Sequence, residues 1–170
     1  MGALGVIFLF LGSFAYGAIL AAPWLPVRRG DVGRMLNTAG IKPGMVVYDL
    51  GSGDGRIVVE AAKRFGAKAV GYEVALLPFF WSRVKIMMNG VSGLAQIRYK
   101  NFFHASLTDA DVVCAFLSPW AMRKLEPKFE RELKAGARVI SYVFALPTWK
   151  PDFTDKDNPQ SLAIFFYTKK

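Results

Sequence analysis

The stretch Tyr48-Asp49-Leu50-Gly51-Ser52-Gly53-Asp54-Gly55-Arg56 constrains this chain more than any other. An apolar run over residues 45–50 ends in three glycines within five residues, and an amphipathic helical pattern begins at once. Glycine lets the backbone turn tightly and approach a ligand closely, because no Cβ stands in the way. A strand, a glycine turn and a helix in that order open a β-α-β unit, whose two strands lie parallel.

The rest of the chain repeats this pattern. Strands are predicted over residues 45–50, 67–72, 95–100, 112–117, 137–144 and 162–168. Helices are predicted over residues 56–65 and 78–89, and after Ser118-Pro119, where Met122, Leu125, Phe129 and Leu133 share one face. Pro127 is expected to kink or split that last helix. Ahead of them, Asp31 is placed to cap a helix whose apolar face is Val32, Met35, Leu36 and Ala39. Strands apolar along their whole length belong to a parallel sheet covered on both faces. The predicted fold class is therefore α/β, a Rossmann-like, doubly wound, mostly parallel sheet. Such sheets bind ligands beyond the C-terminal ends of their strands. The chemistry is expected after Leu50, Tyr72, Lys100 and Phe116.

Charge narrows the ligand. The dinucleotide fingerprint carries its third glycine where Arg56 stands, and Asp54 would oppose a pyrophosphate. No Gly-Lys-Ser/Thr follows, which excludes a P-loop. S-adenosylmethionine has no phosphate and carries a sulfonium and an α-amine. Asp49 and Asp54 complement those positive charges, and the backbone of Gly51, Ser52 and Gly53 can pack on the methionine part. Glu73 ends the next strand and can accept hydrogen bonds from both ribose hydroxyls, with Val74 beside it. Asn101 and Phe102 follow the third strand and suit the adenine edge and face. Phe116, Leu117 and Ser118 end the fourth strand beside the expected methyl group. With Trp120, Phe144 and Trp149 they are candidates for an apolar acceptor channel, and Ser118 equally suits a helix N-cap. Asp111 reads as structural. The chain has one histidine, His104, and one cysteine, Cys114, so neither a disulfide within the chain nor a His- or thiolate-based metal centre is expected.

Two features outside the loop bear on location. Residues 3–25 carry no charged side chain, about the length of a bilayer-spanning helix. Arg28, Arg29 and Arg34 follow and nothing basic precedes, so the positive-inside rule puts the remainder in the cytoplasm, with Trp24 at the interface. The expected organisation is an anchor at residues 1–27 and a catalytic domain at residues 28–170. The formal net charge of +9 belongs wholly to the second part. Anionic lipid is the expected partner of that charge, because no basic block is interleaved with aromatics as RNA binding would favour.

The motifs together resemble a known family. Tyr48 through Val58, Gly71-Tyr72-Glu73, Ser82-Arg83, Leu125-Glu126 and Gly136-Ala137-Arg138-Val139-Ile140 are similar to class I methyltransferases. The group is that of the membrane-anchored lysine methyltransferases of mitochondria that modify the ATP synthase c subunit and the adenine nucleotide translocase, with their prokaryotic relatives. The resemblance runs from about Val32 to the C-terminus. It implies a seven-stranded sheet with the last strand antiparallel, methyl transfer to a lysine of a membrane-associated protein, and cofactor binding by Asp49, Gly51, Gly53 and Glu73. The chain departs from the family at Ala75-Leu76, at Asn101 and over Tyr142-Val143-Phe144-Ala145-Leu146-Pro147. A lipid or small amphiphile as acceptor, and a non-catalytic assembly factor, are the competing readings.

Overall fold

The computed structural model describes residues 5, 8, 11–13, 15–17, 25–156, 158 and 160–170. The elements in chain order are α1 (Arg29–Thr38), β1 (Val46–Leu50), α2 (Arg56–Phe65), β2 (Lys68–Glu73), α3 (Leu76–Met88) and β3 (Ala95–Tyr99). A short 3-10 turn (Phe102–His104) leads to β4 (Val112–Ala115), α4 (Pro119–Glu132), β5 (Arg138–Tyr142), β6 (Phe153–Asp155) and β7 (Ile164–Thr168). The strands form one sheet in the order β3-β2-β1-β4-β5-β7-β6. The first five are parallel, and β7 runs antiparallel to both its neighbours.

Alternation along each strand divides the core in two. Val47, Ala69, Cys114 and Ile140 face α1, α2 and α3. Tyr48, Leu50, Tyr72, Val113 and Val139 face α4, whose Met122, Leu125 and Phe129 are fully buried. Both faces are covered, so the strands are apolar throughout. The chain leaves β1 for β2 on one side and crosses to β4 on the other. The end of β1 is thus the switch point, where an open α/β sheet holds a crevice.

Several elements differ from the sequence reading for physical reasons. Strand β4 stops at Ala115 and β5 at Tyr142, because the residues beyond leave the sheet for the site. Strand β6, absent from the six predicted, is three residues long and exists only through pairing with β7 (Phe153 opposite Phe166). Pro127 lies inside one continuous helix. Leu125 and Phe129 are buried on either side of it, and Glu126 Oε1 accepts the backbone N–H groups of Thr148 and Trp149 at 2.9 and 2.8 Å. Those contacts hold both turns in line. Asp31 makes no N-cap, since α1 starts two residues earlier, and its carboxylate instead accepts the hydroxyl of Tyr142 at the end of β5.

Residues 3–25, the predicted anchor, lie largely outside the described residues, as does Trp24. The described residues between Gly5 and Gly17 are helical, and no helix among the described residues is long and apolar enough to cross a membrane.

The glycine loop docks on β2 through one close contact. A Cβ on Gly71 would lie 2.5 Å from Ser52 Oγ and 2.6 Å from Ile97 Cδ1. Gly71→Ala should therefore destabilise the domain by about 1–3 kcal/mol, the usual range for overpacking. Urea unfolding of the two proteins measures this, and equal midpoints would contradict the packing described.

Candidate active site

The site is built from strand ends. Gly51 and Ser52 both donate to the Tyr72 carbonyl at 3.0 Å, which folds the loop back across β2. Gly55 takes the left-handed conformation at the N-terminus of α2 (φ +73°), and a Cβ there would meet Ser82 Cβ at 2.9 Å. This explains Gly55 and the small residue on α3 together: the two helices touch at that point.

Glu73 is the organising side chain. Its Oε2 accepts from Gly53 N at 2.8 Å, and its Oε1 from Val74 N and Ala75 N at 2.8 and 2.7 Å. It thus ties the glycine loop to the turn that opens α3. A carboxylate accepts about four hydrogen bonds, so one position on Oε2 remains for a ligand hydroxyl.

The two aspartates of the loop have opposite environments. Asp49 is buried, flanked in register by Gly71 and Cys114. Burial pushes its carboxyl up to about 8, and the nearby Glu73 and Asp54 carboxylates add to the rise. Burial also acts to raise Asp54. There it is outweighed by hydrogen bonds and charge from Arg56 and Lys85, which bring the carboxyl down to about 2. Arg56 grips Asp54 with two N–H groups at 2.8 and 2.9 Å, and Lys85 Nζ sits 2.6 Å away. Asp54 is already neutralised by the protein. Asp49 is the loop carboxylate left to meet a cationic ligand.

A strap from the end of the predicted anchor closes over the loop. Leu25, Pro26 and Val27 line the same crevice as Asp49, Gly51, Ser52, Gly53, Asp54 and Phe116. Arg56 Nη1 donates to the Val27 carbonyl, so the arginine that neutralises Asp54 also holds the strap. The crevice beneath is about 30 Å³, room for a water or two and not for a nucleoside. A ligand of cofactor size needs more room than this crevice gives. Within the crevice Ser52 Oγ is buried without a hydrogen-bond partner, a polar atom of the kind a polar ligand satisfies. Val27 is buried while Leu25, Pro26 and Arg28 around it are exposed, and that burial marks the strap.

The remaining predicted residues fall into three groups. Asn101 caps the 3-10 turn through Oδ1, which accepts from Phe103 N at 3.0 Å, leaving its amide N–H groups for a base edge. Phe102 is buried in the α4-side core and packs on Phe103. Phe116 is half-buried in the crevice and meets Tyr142 edge-on at 4.9 Å. Leu117 is buried next to Gly51, and Ser118 caps α4 by accepting from Ala121 N. Trp120 is exposed and stands against Phe103 and the Lys124 ammonium. Phe144 follows Val143, the one described non-glycine residue with positive φ (+73°). That conformation is strained for a β-branched side chain and is held by the Val143 N to Ala163 O bond at 2.8 Å. Trp149 is not in this group. It packs on Phe129 and Tyr167 near the start of β5, at the opposite end of the sheet, because the chain doubles back to form β6. Asp111 is structural: it accepts from Val46 N and pairs with Lys134. Among the described residues no group of three His, Cys, Asp or Glu is placed to hold a metal ion.

Comparison with known proteins bears on this geometry. The model of the ANTKMT methyltransferase domain matches residues 49–153. A protein-lysine N-methyltransferase of Saccharolobus islandicus (strain REY15A) is 42% identical over 148 residues, covering 85% of this chain and 92% of that protein. The adenine nucleotide translocase lysine N-methyltransferase of Mus musculus is 37% identical over 132 residues, covering 78% of this chain and 57% of that protein. This chain thus spans little more than half of the mouse relative. Among solved structures, an RNA methyltransferase from Salinibacter ruber in complex with S-adenosyl-L-homocysteine superposes with a TM-score of 0.81 at 35% identity, covering 85% of this chain and 93% of that one. The seven-stranded sheet with its antiparallel β7 is the class I methyltransferase fold, and this chain belongs to the family of the ANTKMT methyltransferase domain.

Proposed function

We propose that this protein is an S-adenosylmethionine-dependent protein-lysine N-methyltransferase. The observation that carries the acceptor is the likeness to the Saccharolobus islandicus enzyme, which takes in the acceptor side of the sheet as well as the glycine loop. In this reading the Asp49 carboxylate faces the α-amine of the donor, and the backbone of Gly51, Ser52 and Gly53 lies along its methionine part. Asp54 acts indirectly, by holding Arg56 and Lys85 in place. Glu73 and Val74 border the ribose, and Asn101 and Phe102 the adenine.

Methyl transfer is an in-line displacement. The lysine nitrogen lone pair forms a bond to the methyl carbon as the carbon–sulfur bond breaks, and S-adenosylhomocysteine leaves. The donor is already activated, so the protein's task is alignment and exclusion of water. Phe116 lines the crevice, and desolvation there favours the neutral, nucleophilic form of a lysine.

The proposal extends to location: residues 1–27 anchor the domain of residues 28–170 at the cytoplasmic face of a membrane, and the substrate is a membrane-associated protein. Its support is the uncharged run followed by three arginines, and the kinship to an enzyme named for the adenine nucleotide translocase. RNA is the second reading, favoured by the Salinibacter ruber likeness and the net charge of +9.

Incubation with methyl-labelled donor, membranes and total RNA separates the acceptors. Label is expected in protein, mapping to lysine by mass spectrometry. Asp49→Asn should cut it by about tenfold or more, the scale of a lost charge-assisted hydrogen bond. Label in RNA or in lipid instead would sink the lysine proposal.

Asp49 also sets a pH dependence. A ligand cation beside it favours the ionised carboxyl, so binding below pH 8 must release a proton and tighten as pH rises towards about 8. Calorimetry of S-adenosylhomocysteine binding in buffers of different ionisation enthalpy should detect that proton in the wild type and not in Asp49→Asn. Identical proton release from both proteins would rule out this role for Asp49.

A further inference from the structure

Helix α3 carries an exposed apolar face. Its solvent-facing residues are Leu77, Phe80, Trp81, Val84, Met87, Met88 and Arg83, of which only Arg83 is polar. Trp81 is 55% exposed and Met88 76%. Positions 77, 80, 81, 84, 87 and 88 follow the three-four repeat of a helix, so they form one stripe about 120° wide at 100° per residue. The opposite face, through Pro78, Phe79, Ser82 and Ile86, is buried on the sheet. A helix apolar on both faces belongs in a core, yet no other element of the described chain covers the outer stripe.

Two observations indicate what covers it. First, a cation, Arg83, stands beside the stripe, and the chain carries a net charge of +9. Second, the stripe continues into another exposed apolar surface. Ser13 Oγ accepts from Leu76 N at 3.1 Å, and Gly17 lies against Val74 and Ala75. The uncharged N-terminal run therefore meets the first turn of α3, with Phe8, Leu11 and Tyr16 exposed alongside. An apolar stripe beside a cation, on a chain of high positive charge, has the composition of a helix lying in the headgroup region of an anionic bilayer.

We infer that the outer face of α3 docks in the plane of an anionic lipid bilayer, as a second membrane contact beside the N-terminal run. The contact fixes the orientation of the domain on the membrane, which a single point of attachment does not do. This inference does not depend on lysine being the methyl acceptor.

The test uses the full chain with one fluorescent label. Cys114 is buried, so a thiol probe reports on an introduced cysteine alone. The probe is placed at Met88→Cys on the stripe and, as a reference, at Glu130→Cys on α4 across the sheet. On adding phosphatidylglycerol vesicles, iodide quenching at position 88 should fall several-fold, and doxyl-labelled lipid should quench the probe. Position 130 should show neither change. Phosphatidylcholine vesicles should give a weaker effect, and Trp81→Glu, introduced with the label at 88, should reduce protection while S-adenosylhomocysteine binding persists. Vesicle binding with position 88 still open to iodide overturns the inference, as does a failure to bind vesicles. Protection of position 88 that grows with protein concentration without lipid overturns it in favour of a second copy of this chain.

Discussion

Glu73 joins the parts of this site. One carboxylate holds three backbone N–H groups, from Gly53 in the loop after β1 and from Val74 and Ala75 in the turn after β2. The loop has few side chains of its own to fix it. Its shape depends on that carboxylate, on the Tyr72 carbonyl, and on the seat that Gly71 leaves for Ser52. The same contact starts α3 at the loop, which brings Lys85 to Asp54 and Ser82 to Gly55.

Around this frame the protein distributes charge unevenly. Asp54 is balanced within the fold by Arg56 and Lys85, and Arg56 extends the balance to the strap by holding the Val27 carbonyl. Asp49, five residues earlier, has no cation beside it among the described residues and sits in a low-dielectric position between Gly71 and Cys114. A positive ligand favours ionisation of a carboxyl held this way, which suits a sulfonium donor and disfavours a phosphate. Asp31 and Arg34 of α1 fasten the helix that follows the strap to Tyr142 and Asp155. Strap, loop and acceptor side are therefore mechanically connected.

What the sequence made legible is what is local. The glycine spacing, the apolar strands and the acid at the end of β2 are each written within a few consecutive residues. The α/β architecture and the place of the crevice followed from them. The rest depends on distant contacts. Strand β6 has no run of its own and needs β7. Pro127 stays within one helix because residues on both sides of it are buried. Trp149 looked like an acceptor residue by composition, and the return of the chain to β6 carries it to the other end of the sheet. Asp54 reads in the sequence as a ligand for a cation, and Lys85, thirty-one residues on, supplies one from within the fold. The strap was hidden because a single valine at the end of an apolar run is a faint signal.

The central claim is that the crevice after β1 holds S-adenosylmethionine with Asp49 against its positive end. A crystal structure of the complex with S-adenosylhomocysteine tests it most directly. The account predicts the ligand amine within hydrogen-bonding distance of the Asp49 carboxylate, a ribose hydroxyl on Glu73 Oε2, and the strap of Leu25, Pro26 and Val27 displaced from its present seat. A ligand bound away from Asp49, or bound with the strap unmoved, would contradict it.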